Sequence, residues 1–211
     1  MNALSPVIHL VDDDAAVRES LALLIETVGL RVQAWAHPQD FLARFDRQAV
    51  GAIVLDVRMP GVGGLAVLQQ LVREGVDQPV VMLTGHGTID MCRRAFKAGA
   101  AEFLEKPIDD EVLLEALQQA VRQHVKTRQR QQGSRQATER YRELSARERE
   151  VLGLIVAGLT NKEVARALGI SHRTVETHRA NLFAKLEVQS LAQLILNYAA
   201  LVEQDAAGAA P

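Results

Sequence analysis

The stretch Ala52-Ile53-Val54-Leu55-Asp56-Val57-Arg58-Met59-Pro60-Gly61 decides how the rest of the chain is read. Four apolar residues run unbroken into one carboxylate and a Pro-Gly turn follows, the pattern of a buried parallel strand ending at the rim of an α/β sheet. Ligands in such sheets bind outside the carboxyl ends of the strands. Asp56 therefore stands where the fold places its chemistry. An aspartate after a buried strand is also a common loop or helix cap, so the functional reading depends on partners from other strand ends.

Those partners lie on both sides. Upstream, Val7-Ile8-His9-Leu10-Val11 is a short apolar strand that runs into Asp12-Asp13-Asp14, three adjacent acids whose repulsion asks for a cation or solvent. A helix follows through Val17, Leu21, Leu24, Ile25 and Val28 and stops at Gly29; Arg31 to Trp35 alternates like an edge strand, and Pro38 to Phe45 reads as a second helix. Downstream come a helix over 64–74, a buried strand Pro79 to Thr84, a helix over 88–98 and a fifth strand from Ala101 to Pro107 that delivers Lys106. Asp109 opens a long helix through Leu113, Leu117 and Ala120. This alternation predicts one doubly wound, five-stranded parallel sheet, flavodoxin-like in form, over residues 1–121.

The remainder differs in character. Residues 1–124 carry 17 acidic and 11 basic side chains, whereas residues 125–211 carry 9 and 13. An acidic front and a basic rear predict two domains with different partners. Residues 122–142, rich in Gln and Arg without an apolar stripe, read as a polar basic linker, partly helical as an extension of the preceding helix. Beyond it, Ser145-Ala146-Arg147-Glu148, Thr160-Asn161-Lys162-Glu163 and Ser190-Leu191-Ala192-Gln193 fit the capping box. They predict a small all-α domain over 143–205, with helices over 146–157, 161–168, 172–186 and 191–203 and a frayed tail over 206–211. The turn Gly169-Ile170-Ser171 between the second and third of these makes a helix-turn-helix.

No apolar run reaches the roughly 18 residues of a membrane span, and the opening Met1-Asn2-Ala3-Leu4-Ser5-Pro6 lacks the basic and apolar regions of a signal peptide. A cytoplasmic location and no membrane partner are expected. The single cysteine, Cys92, excludes an intrachain disulfide and reads as a small packing residue.

The strand ends of the first domain converge on phosphoryl chemistry. Asp12, Asp13 and Asp56 make a hard oxygen site suited to Mg²⁺, which would neutralise a phosphoryl dianion as an aspartate attacks it. Thr84 and Lys106 would supply a hydroxyl donor and a fixed positive charge. Singly, each has a plainer reading as turn former, surface charge or helix-start acid. His86, two residues beyond Thr84, reads as a solvated loop histidine.

The segments Val11-Asp12-Asp13-Asp14, Leu55 to Gly61, Leu83-Thr84-Gly85-His86-Gly87 and Phe103-Leu104-Glu105-Lys106-Pro107 resemble the receiver domain of bacterial two-component response regulators. Leu144 to Leu152 and Thr174 to Arg179 resemble the LuxR-type helix-turn-helix, and the combination is similar to the FixJ-type branch of the NarL family. The resemblance implies that Asp56 is the phosphoacceptor and that Asp12, Asp13, Asp56 and the backbone carbonyl of Arg58 hold Mg²⁺. It implies that Thr84 and Lys106 bind the phosphoryl group, that Phe103 is an aromatic switch and that the Lys106-Pro107 bond is cis. Packing in the core is the plainer role for Phe103. Ile108 stands where many relatives carry an aromatic.

In the helix from His172, Val175, Leu182 and Leu186 face the core, leaving Arg173, Glu176, Thr177, Ala180 and Asn181 for the major groove. Arg173, Arg179, Lys185 and Lys162 are the expected phosphate contacts, and Ser171 and Thr174 at the helix start join the DNA-binding set. Glu176 departs from relatives that carry a lysine there. His178 stays unassigned. Residues 143–211 hold 8 acidic and 7 basic side chains, a net of −1. One copy should therefore bind weakly, and Leu191, Ile195 and Tyr198 of the last helix are expected to make a dimer contact.

The reading that follows is a phosphorylation-switched transcription factor with a sensor histidine kinase, double-stranded DNA, RNA polymerase and a second copy of itself as partners, and no enzyme beyond its own phosphorylation and dephosphorylation. By resemblance the receivers pair through the helix 88–98 and the strand 101–106. Two rivals stay open. A Mg²⁺-dependent phosphatase of the haloacid-dehalogenase type needs a second aspartate two residues after the nucleophile, where Arg58 stands. A regulator that binds DNA constitutively would use its receiver for interaction only.

Overall fold

The computed structural model describes residues 6–208, and the chain divides into two compact units between Arg128 and Gln129. The first unit holds five strands, β1 (Val7–Val11), β2 (Arg31–Trp35), β3 (Gly51–Asp56), β4 (Val80–Thr84) and β5 (Glu102–Glu105). All neighbours are parallel, in the order β2-β1-β3-β4-β5. The crossovers are α1 (Ala15–Glu26), α2 (Pro38–Arg44), α3 (Gly64–Arg73) and α4 (Ile89–Lys97), and α5 (Asp110–Arg142) follows β5. The doubly wound sheet expected from the sequence is present. Its order reverses between β1 and β3, and such a switch point opens a crevice at the strands' carboxyl ends.

The unbroken apolar runs reflect burial on both faces. Ile8, Leu10, Val54, Val81 and Leu83 pack with Ile25, Leu113 and Leu117 on one side. Val11, Ile53, Leu55 and Met82 pack with Phe41, Leu68 and Leu71 on the other. Each such side chain contributes about 1.5–3 kcal/mol when fully buried. β2 lies at the edge and stays largely exposed, which is why its sequence alternates.

A histidine sits inside this core. His9 is fully buried among Trp35, Phe41 and Phe45, with Nδ1 accepting the Trp35 indole N–H at 3.4 Å and Nε2 without a partner. Burial disfavours the imidazolium, and the nearby Asp46 only partly offsets it, so the pKa falls from 6.5 to about 4.

The stretch 122–142 differs from a loosely structured linker, because α5 continues through it to Arg142. Its Gln, Arg, Lys, Glu and Ala residues are good helix formers even without an apolar stripe. Both ends are also fixed. His124 is buried with Nδ1 accepting the Gly51 amide at 3.1 Å, and Arg128 reaches Asp77 at 2.8 Å and the Arg47 carbonyl at 2.8 Å. At the other end Ala137 and Tyr141 are buried in the core of the second unit. Between them, residues 129–136 are exposed.

The second unit adds α6 (Ala146–Val156), α7 (Asn161–Leu168), α8 (His172–Lys185) and α9 (Leu191–Gly208) around Val151, Leu152, Val164, Val175, Leu182, Leu194 and Tyr198. The capping boxes at Ser145 and Thr160 form as expected. At Ser190 the hydroxyl accepts from the Gln193 amide, but the Gln193 side chain reaches one residue further back, to the Gln189 amide. Gly169 takes φ +65° between α7 and α8, the left-handed conformation the turn requires. α9 runs past the expected end at Glu203, because the Tyr141 hydroxyl donates to Asp205 at 2.9 Å and fixes that turn. Of the tail expected to fray, residues 206–208 are helical, and 209–211 lie outside the described residues.

His9 sets an acid-side limit on stability. Between pH 6.5 and about 4 the unfolded chain binds a proton at this position that the folded chain refuses, so stability is complete above pH 6.5 and declines as pH falls through that window, by up to about 3 kcal/mol. Denaturant unfolding of His9→Phe at pH 7 and pH 4.5 should show a loss smaller than in the parent by about that amount.

Candidate functional site

The carboxyl ends of β1, β3, β4 and β5 carry the residues singled out from the sequence. Asp12 follows β1 and is buried; its Oδ1 accepts the Asp14 amide at 2.9 Å. Asp56 ends β3, also buried, with Oδ2 accepting the Arg58 amide at 2.6 Å. Gly64 lets the start of α3 approach this strand end, since an added Cβ would lie 2.0 Å from the Asp56 carbonyl oxygen. Lys106 ends the run after β5, and the Lys106–Pro107 bond that follows is cis. Its ammonium donates to Asp12 Oδ2 at 2.6 Å and to Asp56 Oδ1 at 2.7 Å.

Two of the expected residues, Asp12 and Asp56, thus converge on the ammonium of a third. Burial of the Lys106 side chain works against its charge, but hydrogen bonds and charge from Asp12 and Asp56 outweigh that, and its pKa is raised above the ordinary lysine value. Two carboxylates against one ammonium leave a net negative pocket. Asp13 is exposed at its rim. Among the described residues, no group of three or more acidic, histidine or cysteine side chains is gathered as a metal site. The donors themselves are hard oxygens, the type that suits Mg²⁺.

Thr84 is buried, but its hydroxyl serves its own loop: it accepts the His86 amide at 3.3 Å and lies 3.9 Å from Met91 Sδ. Phe103 is half-buried, packs on the β-sheet core and lines an open cleft with Ile89, Cys92 and Phe96. His86 is exposed, with Nδ1 2.7 Å from Arg58 Nη2. Sequence reasoning missed Arg18, which donates to the Asp12 carbonyl at 2.7 Å from one turn into α1. It also missed Glu105, whose carboxylate accepts the Gly87 amide at 2.8 Å.

In the second unit, α8 leaves Arg173, Glu176, Thr177 and Asn181 exposed, with Lys162 exposed on α7. Several expected DNA contacts also have partners within the unit. Ser171 and Thr174 bond to each other through their hydroxyls at 2.8 Å and cap the helix, and the Thr177 hydroxyl donates to the Arg173 carbonyl. Arg179 donates to Asn161 Oδ1 at 2.8 Å. Lys185 reaches Glu148 Oε1 at 2.7 Å, a carboxylate 6% exposed that no local pattern in the sequence connects with it.

The group Leu191, Ile195 and Tyr198 is corrected. Leu191 and Ile195 are exposed, but Tyr198 is 1% exposed and its hydroxyl donates to the Leu186 carbonyl at 3.0 Å, so it belongs to the core. Helical spacing alone could not separate the two faces of so short a stripe. Leu196, not singled out from the sequence, is 85% exposed on the same helix. The charge count changes as well. Gln129–Arg142 adds four arginines against Glu139 and turns the unit from −1 to +2.

A parallel sheet with two acids and a lysine at its switch point, joined to a helix-turn-helix, is the arrangement of a receiver domain with a DNA-binding module. The response regulator receiver domain matches residues 8–118, and the LuxR family of bacterial regulatory proteins matches residues 142–197. The chain belongs to the two-component response regulators with a LuxR-type DNA-binding domain, and it is a transcription regulator. It is 42% identical to the transcriptional regulatory protein FixJ of Azorhizobium caulinodans, over 89% of each chain. It is 38% identical to the response regulator TodT of Pseudomonas putida, over 92% of this chain and 86% of that one. Among solved structures, the response regulator StyR matches with a TM-score of 0.79 and 40% identity, over 90% and 96% of the two chains. Full-length FixJ from B. japonicum matches at 0.58 and 36%, over 92% and 95%. Membership implies a histidine kinase as partner and DNA binding, and receiver domains of this family generally use Mg²⁺. No helix among the described residues is long and apolar enough to cross a membrane.

Glu148 and Lys185 set the acid stability of the helical unit. Lys185 first, then burial in the opposing sense, then Ser145 bring the Glu148 pKa from 4.5 down to about 2, so the stabilisation is present above pH 4.5 and is lost as pH falls toward 2. Lys185→Met leaves that carboxylate without its cation. It should lower the stability of this unit by about 1–2 kcal/mol at pH 7, less than for a fully buried pair because the lysine is half-exposed. Urea unfolding followed by circular dichroism measures it.

Proposed function

We propose that Asp56 accepts a phosphoryl group from a histidine kinase and that the acyl phosphate promotes pairing of two copies on DNA, changing transcription. The observation that carries this reading is the Lys106 ammonium seated between Asp12 and Asp56. It leaves a buried carboxylate beside a fixed positive charge, at the strand ends where a transferred group can enter. A carboxylate oxygen of Asp56 attacks phosphorus, the bond to the donor's imidazole nitrogen breaks, and the leaving nitrogen keeps the electron pair. Lys106 then turns from a carboxylate to a phosphoryl oxygen, and Thr84 supplies a hydroxyl donor to another.

Asp12, Asp13, Asp56 and the Arg58 carbonyl would hold the Mg²⁺. When bound, the ion neutralises charge that develops on the phosphoryl oxygens. Arg18 and the Asp14 amide keep the Asp12 loop in place for it. Phe103, at the edge of its open cleft, has room to turn inward as Thr84 moves. Pairing of receivers through α4 and β5 draws on the exposed Ile89 and Phe96 there. Pairing of the DNA-binding units draws on Leu191, Ile195 and the exposed Leu196.

On α8, Arg173, Glu176, Thr177 and Asn181 face the major groove, with Lys162, Arg173 and Arg179 on phosphates. Ser171 and Thr174 act at the helix start. Lys185 contributes less to phosphate binding than its sequence position suggests, because Glu148 holds it. The protein works in the cytoplasm, contacts RNA polymerase at its promoters and turns over no substrate other than its own phosphoryl group.

Asp56→Asn should leave the fold intact and abolish labelling by acetyl phosphate with Mg²⁺, measured by mass spectrometry of the intact chain. Full-stoichiometry labelling of the variant would overturn the assignment. Equal affinity of the parent for operator DNA with and without beryllofluoride would instead favour constitutive binding.

A further inference from the structure

The loop between β4 and α4 is held at two points by groups outside it. His86 Nδ1 meets Arg58 Nη2 at 2.7 Å, and the Gly87 amide donates to Glu105 Oε1 at 2.8 Å. At the second contact the Glu105 carboxylate lies directly against Gly87: a Cβ added there would sit in van der Waals contact, 3.4 Å from Glu105 Cδ and Oε2. Glu105 and Lys106 are adjacent, and neighbouring residues of an extended chain point to opposite sides. One strand end therefore serves two purposes, with Lys106 gathering the acids and Glu105 gripping the loop. While that grip holds, the Thr84 hydroxyl is engaged by His86 and Met91, and neither Asp56 nor Lys106 is among its hydrogen-bond partners.

We propose that Glu105 is a positioning residue that clasps the β4–α4 loop with Thr84 withdrawn from the pocket, and that Gly87 leaves Glu105 before Thr84 reaches a phosphoryl group on Asp56. The clasp sets what fraction of the unphosphorylated protein is ready for transfer, and a smaller ready fraction lowers the apparent rate in proportion. This rests on the reading of Asp56 as phosphoacceptor and Thr84 as its hydroxyl partner. Glu105 is exposed, so its replacement leaves no buried group unpaired.

The test uses the full chain with Glu105→Ala, which removes the acceptor, and Glu105→Gln, which keeps a carbonyl oxygen for Gly87. Hydrogen exchange of the Gly87 amide and the rate of labelling by acetyl phosphate with Mg²⁺ are both measured. A hydrogen bond of ordinary net strength predicts that Glu105→Ala raises both by about two- to tenfold, with Glu105→Gln closer to the parent. Unchanged Gly87 exchange in Glu105→Ala overturns the clasp. Faster exchange with an unchanged labelling rate also overturns it, because the contact then exists without gating transfer. Absence of labelling in the parent strikes the phosphoacceptor reading itself and takes the clasp with it, a result separable from the others by the parent control.

Discussion

The Lys106 ammonium ties together the carboxyl-end rim of the sheet. Without it, two buried carboxylates from strands that pair side by side would face each other across the switch point with no cation between them. With it, every oxygen of Asp12 and Asp56 has a named donor: Lys106 on one side, and the amides of Asp14 and Arg58 on the other. The local loops depend on these acids in turn, because each carboxylate caps the backbone two residues ahead of it. The pocket at this rim is therefore net negative and already holds an ion pair, which any group entering it would have to displace.

The layered fold was legible because its signals are local. Strands buried on both faces read as apolar runs, edge strand β2 as an alternating one, and Ser145 and Thr160 as helix caps whose partners lie three residues away. The site was legible for a related reason: strand ends in a parallel sheet meet at one rim, so Asp56 and Lys106 could be placed together although 50 residues separate them. Pairings with no such rule stayed hidden. His124 meets Gly51 across 73 positions, and Lys185 meets Glu148 across 37, and neither has a spacing or a motif to announce it. Tyr198 was misplaced because one apolar stripe supplies both core and surface, and only packing decides which residue goes where.

The same limit explains α5. A polar stretch without an apolar stripe looks like a linker, yet helix propensity needs only to be supported at its ends. Those supports are a buried histidine and an arginine-carboxylate contact at one end, and a buried alanine and tyrosine at the other. Between them residues 129–136 are exposed and rest on helical backbone hydrogen bonds, intrinsic preference and the Thr138 hydroxyl, which donates to the Ser134 carbonyl at 2.9 Å, with Gly133 and Ser134 as the poorest helix formers.

Because Ala137 and Tyr141 complete the core of the DNA-binding unit, and Tyr141 bonds to Asp205 near the opposite end of its sequence, this module is closed by its own two termini. A fragment cut where the recognisable helix-turn-helix homology begins would lack one wall, and one trimmed before Asp205 would lose the fastening of that wall. Dissection of the regulator into autonomous halves thus has to follow the packing and leave a stretch of the connecting helix attached to the reader of DNA.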